Sequence, residues 1–255
     1  MSPPVDLAAE LLATRGFVHS TESGAGVDGP GMRFVFFVSG CQFRCQYCHN
    51  PDTWKLHAGR EVSVADALKE VGAYAGFLKF AGGVTISGGE PLMQPEFVGA
   101  LFHAVKQRYG LHTALDTQGF LHANVADDWF DDVDLVLLDI KHSDPARYHD
   151  ITGKDLQPTL DFARRLQRLG KKMWIRYVLV PGLTDGEADI RCLATFIASL
   201  GGGVERVEVL PFHQLGKDKW HKLGMIYPLE DTPVPTSEQV KNAREWFAEA
   251  GLTVT

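Results

Sequence analysis

The sequence lacks the features that mark several broad classes of protein. None of its apolar runs approaches the roughly 20 residues that a membrane-spanning helix needs, and residues 1–15 lack the basic-then-apolar layout of a secretory signal. No internal repeat and no low-complexity tract occurs along the 255 residues. We therefore expect a globular protein of the cytoplasm.

An excess of basic charge is also absent. The chain has 25 lysines and arginines against 32 aspartates and glutamates, which gives a formal net charge of −7. This is the wrong sign for a dedicated nucleic-acid binder. Apolar residues make up 45% of the chain and charged residues 22%, so the chain can bury a sizeable core. A small metabolite or another protein is the expected partner.

Cysteine is scarce, and its placement is informative. Four cysteines are too few for a disulfide scaffold in a chain of this length. Three of them, Cys41, Cys45 and Cys48, are spaced so that one loop can wrap three thiolates around a metal centre. Cys192 falls in an amphipathic segment, where we expect a small buried apolar side chain. The spacing leaves two alternatives: an iron–sulfur cluster with one open iron, or a tetrahedral zinc site.

Short apolar runs alternate with segments of helical period, which is typical of parallel α/β architecture. The predicted strands are Arg33–Val38, Val84–Ser87, His112–Asp116, Asp134–Ile140, Met173–Val180 and Glu205–Leu210. The predicted helices are Ser63 to about Lys79, one that begins at Pro95, Leu160–Leu169, Asp185–Leu200 and Ser237–Ala250. This pattern predicts about six β/α units in one domain, 16–255, after an extension, 1–15, that is a frayed helix or a disordered tail.

Smaller elements are predicted at the two ends of this core. Gly16–Ser20 and Leu252–Thr255 are candidate flanking strands. Gly216–Pro235, with three prolines, is predicted to be a long loop and a candidate lid.

Chemically conspicuous residues occur near the end of every predicted strand. In chain order these are Cys41–Asn50, Ser87–Pro91, Asp116–Thr117, Asp139–Lys141, Arg176 near Pro181–Gly182, and Pro211–His213. Parallel β/α barrels carry their catalytic groups at the carboxyl ends of the strands, so we expect these residues to form one site. Arg176 lies in an apolar strand, where an arginine requires a polar partner or a ligand.

The three cysteines, with Tyr47 before the last one, resemble the signature of the radical S-adenosylmethionine superfamily. The resemblance implies a partial (β/α)6 barrel of the TIM type. It also implies one four-iron four-sulfur cluster that Cys41, Cys45 and Cys48 hold. The open iron would be chelated by S-adenosylmethionine, which an electron from the cluster cleaves to methionine and a 5′-deoxyadenosyl radical.

Further segments resemble the activating enzymes of glycyl-radical enzymes. These segments are His19–Ser23, Val27–Gly31, Cys48–Trp54, Asp116–Thr117, Trp174–Tyr177 and Leu210–His213. The chain runs from Trp54 to Ser63 without the ferredoxin-like insertion that many of these activators carry. The resemblance, in this compact form, implies an oxidoreductase of anaerobic metabolism that takes a hydrogen atom from a backbone glycine of pyruvate formate-lyase, with a flavodoxin or ferredoxin as electron donor.

The resemblance also implies roles for residues outside the cysteines. The residues implied to bind S-adenosylmethionine, besides Cys48, are Tyr47, His49, Gly88, Gly89, Asp139, Ile140, Lys141 and His213. Asp116, Thr117 and Asp139 resemble a monovalent-cation site, and Asp28 and Arg176 would contact the peptide that bears the target glycine. Trp174, Trp220 and Trp246 are expected to be packing residues.

Two alternative functions remain open at this point. One is the activation of a different glycyl-radical enzyme. The other is a zinc-binding regulatory protein without catalysis. Iron, sulfide and a brown colour after anaerobic preparation would separate the second alternative from the radical chemistry.

Overall fold

The computed structural model describes residues 7–255, in which the chain forms two compact units. The first unit takes in the chain up to Cys41 together with Thr53–Thr117 and Leu121–Leu137, and the second takes in Gln42–Asp52, Gln118–Phe120 and Leu138–Thr255. None of the helices in the described part is long and apolar enough to cross a membrane. Residues 1–6 of the predicted extension lie outside the described residues, and Ala9–Ala13 forms helix α1.

The first unit is built on a mixed sheet. Its strands are β1 (Arg15–Ala25), β2 (Met32–Val38), β3 (Arg60–Ser63), β4 (Gly82–Gly88) and β5 (His112–Thr117). β1 pairs antiparallel with β2 and β3, whereas β2 pairs parallel with β4 and β4 with β5. Val35, Phe36 and Ile86 are fully buried, as expected of parallel strands that are covered on both faces.

Three further helices belong to the first unit: α2 (Val64–Gly72), α3 (Ala75–Ala81) and α4 (Pro95–Tyr109). The Ser63 hydroxyl caps α2 by accepting from the Asp66 amide, at 3.1 Å. α4 begins at a proline and ends at Gly110, which is left-handed with φ of 62°.

Strand β6 (Leu135–Asp139) begins in the first unit and ends in the second. In the second unit, β7 (Lys172–Leu179) pairs parallel with β8 (Val204–Pro211). The helices there are α5 (Pro145–Thr152), α6 (Gln157–Arg168), α7 (Glu187–Ser199), α8 (Lys217–Lys222) and α9 (Ser237–Ala248). The Ile140 amide, just after β6, donates to the Arg176 carbonyl of β7 at 3.2 Å.

The structure contains all six predicted parallel strands, with ends that differ by one or two residues. Both candidate flanking segments also pair. Gly16–Ser20 lies within β1, and the Val207 amide of β8 donates to the Thr253 carbonyl at 2.8 Å. The parallel α/β fold was predicted from short apolar runs, which are typical of strands that are buried on both faces. These runs identified the strands correctly.

The helices differ from the prediction in three places. The single helix expected from Ser63 to about Lys79 is two helices, because the chain breaks after Gly72, beside the Tyr109 hydroxyl. α5 was not predicted, although Asp144 caps it and Pro145 opens it. The predicted loop at 216–235 begins with α8, whose apolar side chain Trp220 is buried.

Cys192 is exposed, so the expectation of a buried side chain was wrong. The buried stripe of α7 consists of Ile190, Leu193, Ala194 and Ile197. Cys192 lies beside this stripe, because two residues that are adjacent in a helix differ by about 100° in direction.

Candidate functional site

The cysteine loop is anchored at its start within the first unit. The Cys41 amide donates to the Trp54 carbonyl at 3.1 Å, and the Gly40 amide donates to the Thr53 carbonyl at 2.7 Å. The Gly40 carbonyl in turn accepts from the Glu90 amide at 2.7 Å. These bonds fix the backbone from which the first thiol projects, and Cys41 itself is buried.

The rest of the loop is hydrogen-bonded to the end of α5 in the second unit. The Arg44 amide donates to the Thr152 carbonyl at 2.8 Å, and the Gln46 amide donates to the Ile151 carbonyl at 3.0 Å. The last carbonyls of a helix have no partners within it, so the loop satisfies them. A helix that the sequence analysis missed therefore positions the loop that carries Cys45.

Burial disfavours the free thiolate in this loop. It raises the pKa of the Cys45 thiol to about 12, although the nearby Lys141 ammonium lowers it. A metal centre requires the thiolate, and metal binding supplies the charge that stabilises it. Among residues 7–255, no group of three or more histidine, cysteine, aspartate or glutamate side chains is arranged to hold a metal ion. The three cysteines are candidate ligands of a metal centre because of their spacing in the sequence, and not because the described residues form a metal cage.

An ion pair between the buried Lys141 and the partly exposed Asp139 acts on this thiol. The Lys141 ammonium is 3.1 Å from an Asp139 carboxylate oxygen and 5.5 Å from the centre of the Tyr47 ring. Burial is the largest single influence and lowers the pKa of Lys141, but Asp139, Tyr47, Cys45 and Tyr148 together raise it more, so the pKa lies well above its usual value. The Tyr47 hydroxyl is buried and has no hydrogen-bond partner in the described chain. One cation, one anion and one unsatisfied hydroxyl thus belong to the same cluster, and both charges act on the Cys45 thiol.

His49 and His213, predicted to lie on the adenosyl side of the site, are in contact. Their ring centroids are 4.8 Å apart and their planes are nearly perpendicular. Burial is the largest cause that lowers the pKa of His49, and His213 and Lys219 lower it further while Asp52 raises it. His49 therefore favours the neutral imidazole.

Helix α8 packs against the same loop, and sequence reasoning missed this role. The Trp220 indole N–H donates to the Cys48 carbonyl at 2.9 Å, and the Lys219 ammonium donates to the Asn50 side chain at 2.6 Å. A Cβ on Gly216 would lie 2.9 Å from the His49 Cα. Trp220 is buried, as expected of a packing residue, and it also holds the cysteine loop through its indole N–H. Its position in the predicted lid segment was the only sign of this second role in the sequence analysis.

Gly88 and Gly89 lie where two backbone segments of the first unit approach each other closely. Gly88 has φ of 108°, and a Cβ there would lie 2.5 Å from the Val38 nitrogen. At Gly89 a Cβ would lie 2.2 Å from the Gly40 carbonyl oxygen. Side chains at these positions would separate the ends of β2 and β4. Their role toward S-adenosylmethionine stays a prediction.

Asp116 and Thr117 are the last two residues of β5, the next strand of that unit. The Ser87 hydroxyl donates to an Asp116 carboxylate oxygen at 2.6 Å, and the Thr117 hydroxyl donates to a carboxylate oxygen of the buried Glu90 at 2.6 Å. Oxygen atoms of this kind suit hard cations. The cation site that they were predicted to form together with Asp139 stays a prediction.

Asp28 is held by a buried arginine that sequence reasoning also missed. The Arg33 guanidinium donates to the Thr85 hydroxyl at 2.9 Å and to the Val84 carbonyl at 2.6 Å, and the Thr85 hydroxyl donates to the Asp28 carbonyl at 2.6 Å. Burial lowers the pKa of Arg33 to about 10, while Asp134 and Asp28 raise it. An arginine within an apolar strand was the available signal.

Arg176 has the polar partner that its apolar strand required. It faces Glu208 in the register of β7 and β8, and its Nε lies 3.7 Å from a Glu208 carboxylate oxygen. Only 11% of the Arg176 side chain is exposed.

The chain is similar to proteins of known family. The model of the radical SAM superfamily matches residues 35–191. A pyruvate formate-lyase-activating enzyme of Streptococcus mutans is 44% identical over 238 residues, which cover 90% of each chain. Another, of Staphylococcus aureus, is 46% identical over 241 residues, which cover 90% of this chain and 94% of the relative.

Solved structures of radical SAM proteins share the fold. A domain of a pyruvate-formate lyase-activating enzyme from Bacteroides vulgatus is 26% identical, with a TM-score of 0.56 over 69% of this chain and 98% of that domain. A radical SAM methyltransferase from Sphaerobacter thermophilus is 16% identical, with a TM-score of 0.62 over 99% of this chain and 76% of that chain. These similarities confirm the fold class that the sequence predicted.

Proposed function

The chain belongs to the radical SAM superfamily and, within it, to the pyruvate formate-lyase-activating enzymes, and on this premise we propose how its own residues carry the activity. Family membership gives an oxidoreductase that activates pyruvate formate-lyase and uses an iron–sulfur cluster and S-adenosylmethionine. Family membership also leaves no reason to prefer the alternative of a zinc-binding regulatory protein without catalysis.

When bound, the reduced four-iron four-sulfur cluster would supply the electron for reductive cleavage of S-adenosylmethionine, and abstraction of a hydrogen atom from a backbone glycine would then leave methionine, 5′-deoxyadenosine and a glycyl radical on the partner. The protein's part is to position the reactants and exclude water.

The residues beside Cys45 fit these groups, and this fit is the observation that supports the proposed roles. The amino-acid end of S-adenosylmethionine carries one ammonium and one carboxylate, and the structure holds the buried Lys141 and the partly exposed Asp139 together as a pair of opposite charges. The unsatisfied Tyr47 hydroxyl is a further polar contact. Lys141 would hold the carboxylate of the substrate, and Asp139 its ammonium group.

The remaining positions complete the proposal. Cys41, Cys45 and Cys48 would be the only protein ligands of the cluster, which leaves one iron for the substrate. Gly88, Gly89 and the Ile140 backbone would line the methionyl part, and His49 and His213 the adenosyl part. Asp116, Thr117 and Asp139 would hold a monovalent cation.

The protein substrate needs its own contacts. Asp28 and Arg176 would bind the peptide that carries the target glycine. Both side chains are largely buried; the Thr85 hydroxyl holds the Asp28 backbone carbonyl, and Glu208 lies beside the Arg176 guanidinium, so both positions are constrained before the peptide arrives. A flavodoxin or ferredoxin would supply the electron, in the cytoplasm, and residues 1–15 would be an extension of the core, 16–255.

The test is electron paramagnetic resonance on an anaerobic mixture of reconstituted protein, reductant, S-adenosylmethionine and pyruvate formate-lyase. The proposal expects a glycyl-radical signal together with 5′-deoxyadenosine. Deoxyadenosine without that signal would point to a different glycyl-radical enzyme as the partner. Neither product from protein with its full iron content would refute the catalytic assignment.

Charge reversal at the two peptide contacts tests their assignment separately. Asp28→Lys and Arg176→Glu should each weaken peptide binding while the iron content stays that of the wild type. Loss of the cluster in these variants would show that the residues support the fold rather than the peptide.

A further inference from the structure

Helix α3 of the first unit carries exposed aromatic side chains. Phe80 is 92% exposed and Phe77 is 54% exposed, and Tyr74, the N-cap of the helix, is 44% exposed. Residues three positions apart are neighbours on the surface of a helix, so the three rings lie side by side. We call these three side chains the aromatic patch. Aromatic side chains of this size give up much free energy when they stay in water, which marks the patch as a surface for a partner.

The fold holds the aromatic patch in place from one side. Leu78 is buried, so its side of α3 packs on the sheet. The Tyr74 ring lies 5.6 Å from the ring of Phe34, a residue of β2. Met32, at the start of β2, is 44% exposed and is in register with Gly82, the C-cap of α3. Met32 therefore adds apolar surface beside the end of the helix.

The aromatic patch lies at the end of the parallel strands that is opposite to the cysteine loop. α3 leads into Gly82, the first residue of β4, whereas Gly88 ends β4 in register with Val38, the last residue of β2. The seven residues of β4 span about 20 Å. Catalytic groups of parallel β/α barrels lie at the carboxyl ends of the strands. A partner on the patch would therefore leave that end of the first unit uncovered.

The exposed apolar area is that of one protein–protein interface. An aromatic side chain has roughly 200 Å² of surface, so the three rings leave on the order of 400 Å² exposed. A specific interface buries about 800 Å² on each partner, and somewhat more than half of that area is apolar. The aromatic patch thus supplies most of the apolar area that one side of a stable dimer needs.

The order of small and large residues along α3 fits the patch to a second copy of the same chain. Ala73 and Gly76 come before Phe77 and Phe80, at the i, i+3, i+4, i+7 spacing of one helix face. Ala73 is exposed, and within residues 7–255 nothing lies closer than 4 Å to the place of a Cβ on Gly76. A two-fold axis across the helix reverses one copy against the other. The phenylalanines of each copy then meet the small residues of the other, which lets the two helices approach closely.

We propose that two copies of this chain associate about a two-fold axis at the aromatic patch, with Phe77 and Phe80 of each copy packed against Ala73 and Gly76 of the other. The same surface serves both copies, so the assembly closes at two chains. Tyr74 lies at the border of the contact. The inference goes beyond the proposed function, because the proposed reaction does not require a second copy.

The association is measured by anaerobic sedimentation equilibrium of the reconstituted protein. The wild type should show an equilibrium between one chain and two, with the dimer dominant at about 100 µM. Phe80→Ser should raise the dissociation constant at least about tenfold, because each dimer loses two buried rings. Its iron content and circular dichroism should match the wild type, since Phe80 is exposed in the single chain.

A second substitution adds bulk where the other copy is expected to pack. Gly76→Arg has room in the single chain, because its Cβ position is open among the described residues, but the new side chain would occupy the space of the opposing phenylalanine. It should also raise the dissociation constant at least about tenfold. Gly202→Arg, at a glycine that is equally open, and Ile226→Ser, at a side chain that is 90% exposed, are matched controls and should keep the wild-type constant.

The proposal is wrong if the wild type sediments as one chain at every concentration up to about 100 µM. It is also wrong if the dimer survives both substitutions in α3 with the wild-type constant, or if the controls weaken it equally. A monomeric wild type whose co-sedimentation with pyruvate formate-lyase is weakened by Phe80→Ser would show that the patch binds that protein, and the second copy would then be the wrong occupant.

Discussion

At the residue scale, single buried polar groups with several partners hold the functional loops. Arg33 donates to the Thr85 hydroxyl and to three backbone carbonyls, and through Thr85 it fixes the backbone of Asp28. Lys141 and Asp139 hold each other beside Cys45. Removal of either cation leaves buried acceptors without a donor, which costs more than the net strength of a hydrogen bond.

Arg33→Met should lower the free energy of unfolding by about 2–4 kcal/mol, because buried acceptors lose their donor. Urea denaturation under anaerobic conditions measures the change. Arg15→Met is the control, since 61% of the Arg15 side chain is exposed in its ion pair with Glu61, and it should change the free energy by less than about 0.5 kcal/mol. Equal effects of the two substitutions would contradict the importance of burial.

Lys141→Met should raise the dissociation constant of S-adenosylmethionine at least about tenfold, because the substrate carboxylate loses a buried cation. Anaerobic equilibrium dialysis measures this constant, and iron analysis should show an unchanged cluster content. Lys172→Met removes a half-exposed lysine of β7 and serves as control. Wild-type affinity in Lys141→Met would remove Lys141 from the binding site.

At the scale of elements, two short helices determine where the cysteine loop lies. The end of α5 accepts from the amides of Arg44 and Gln46, and α8 donates from Trp220 to the Cys48 carbonyl. Both contacts use backbone groups of the loop, so they hold its shape independently of its side chains. Neither helix was predicted, because each is shorter than the window over which a helical period is visible.

Gly216→Ala should shorten the time over which reconstituted protein keeps its iron in the presence of a chelator, by about tenfold. The added Cβ would lie 2.9 Å from the His49 Cα and 3.0 Å from the Cys48 carbonyl oxygen, so α8 must move away from the loop. Gly202→Ala is the matched control, because nothing lies within 4 Å of its Cβ position. If both variants release iron at the wild-type rate, α8 does not support the loop.

At the scale of the whole molecule, stability depends on a histidine that is buried in the second unit. His142 accepts from the Asp144 amide at 3.0 Å through Nδ1, which requires that nitrogen to be unprotonated. Burial lowers the pKa of His142 and Arg147 lowers it further, against Asp189 and Asp144, which raise it. The folded chain thus binds a proton at His142 less readily than the unfolded chain does.

The free energy of unfolding should therefore fall as the pH drops below about 6.5, the usual histidine pKa, because the unfolded state then binds more protons. The slope for one group is at most about 1.4 kcal/mol per pH unit. Urea midpoints measured from pH 7.5 to 5.5 should fall less steeply for His142→Asn, which keeps an acceptor near Nδ1. His149→Asn, at a histidine whose side chain is 61% exposed, should retain the wild-type slope.

The sequence by itself determined the six parallel strands, the cysteine loop and the family. Strands that are buried on both faces leave continuous apolar runs, and ligands on one short loop leave a fixed spacing, so both signals are local. Tertiary structure alone decided which distant groups support them. Arg33 reaches Thr85, Glu208 lies between Arg176 and Arg206, and Trp220 reaches Cys48. Pairings between residues far apart in the chain depend on strand register and helix packing, which no local pattern encodes.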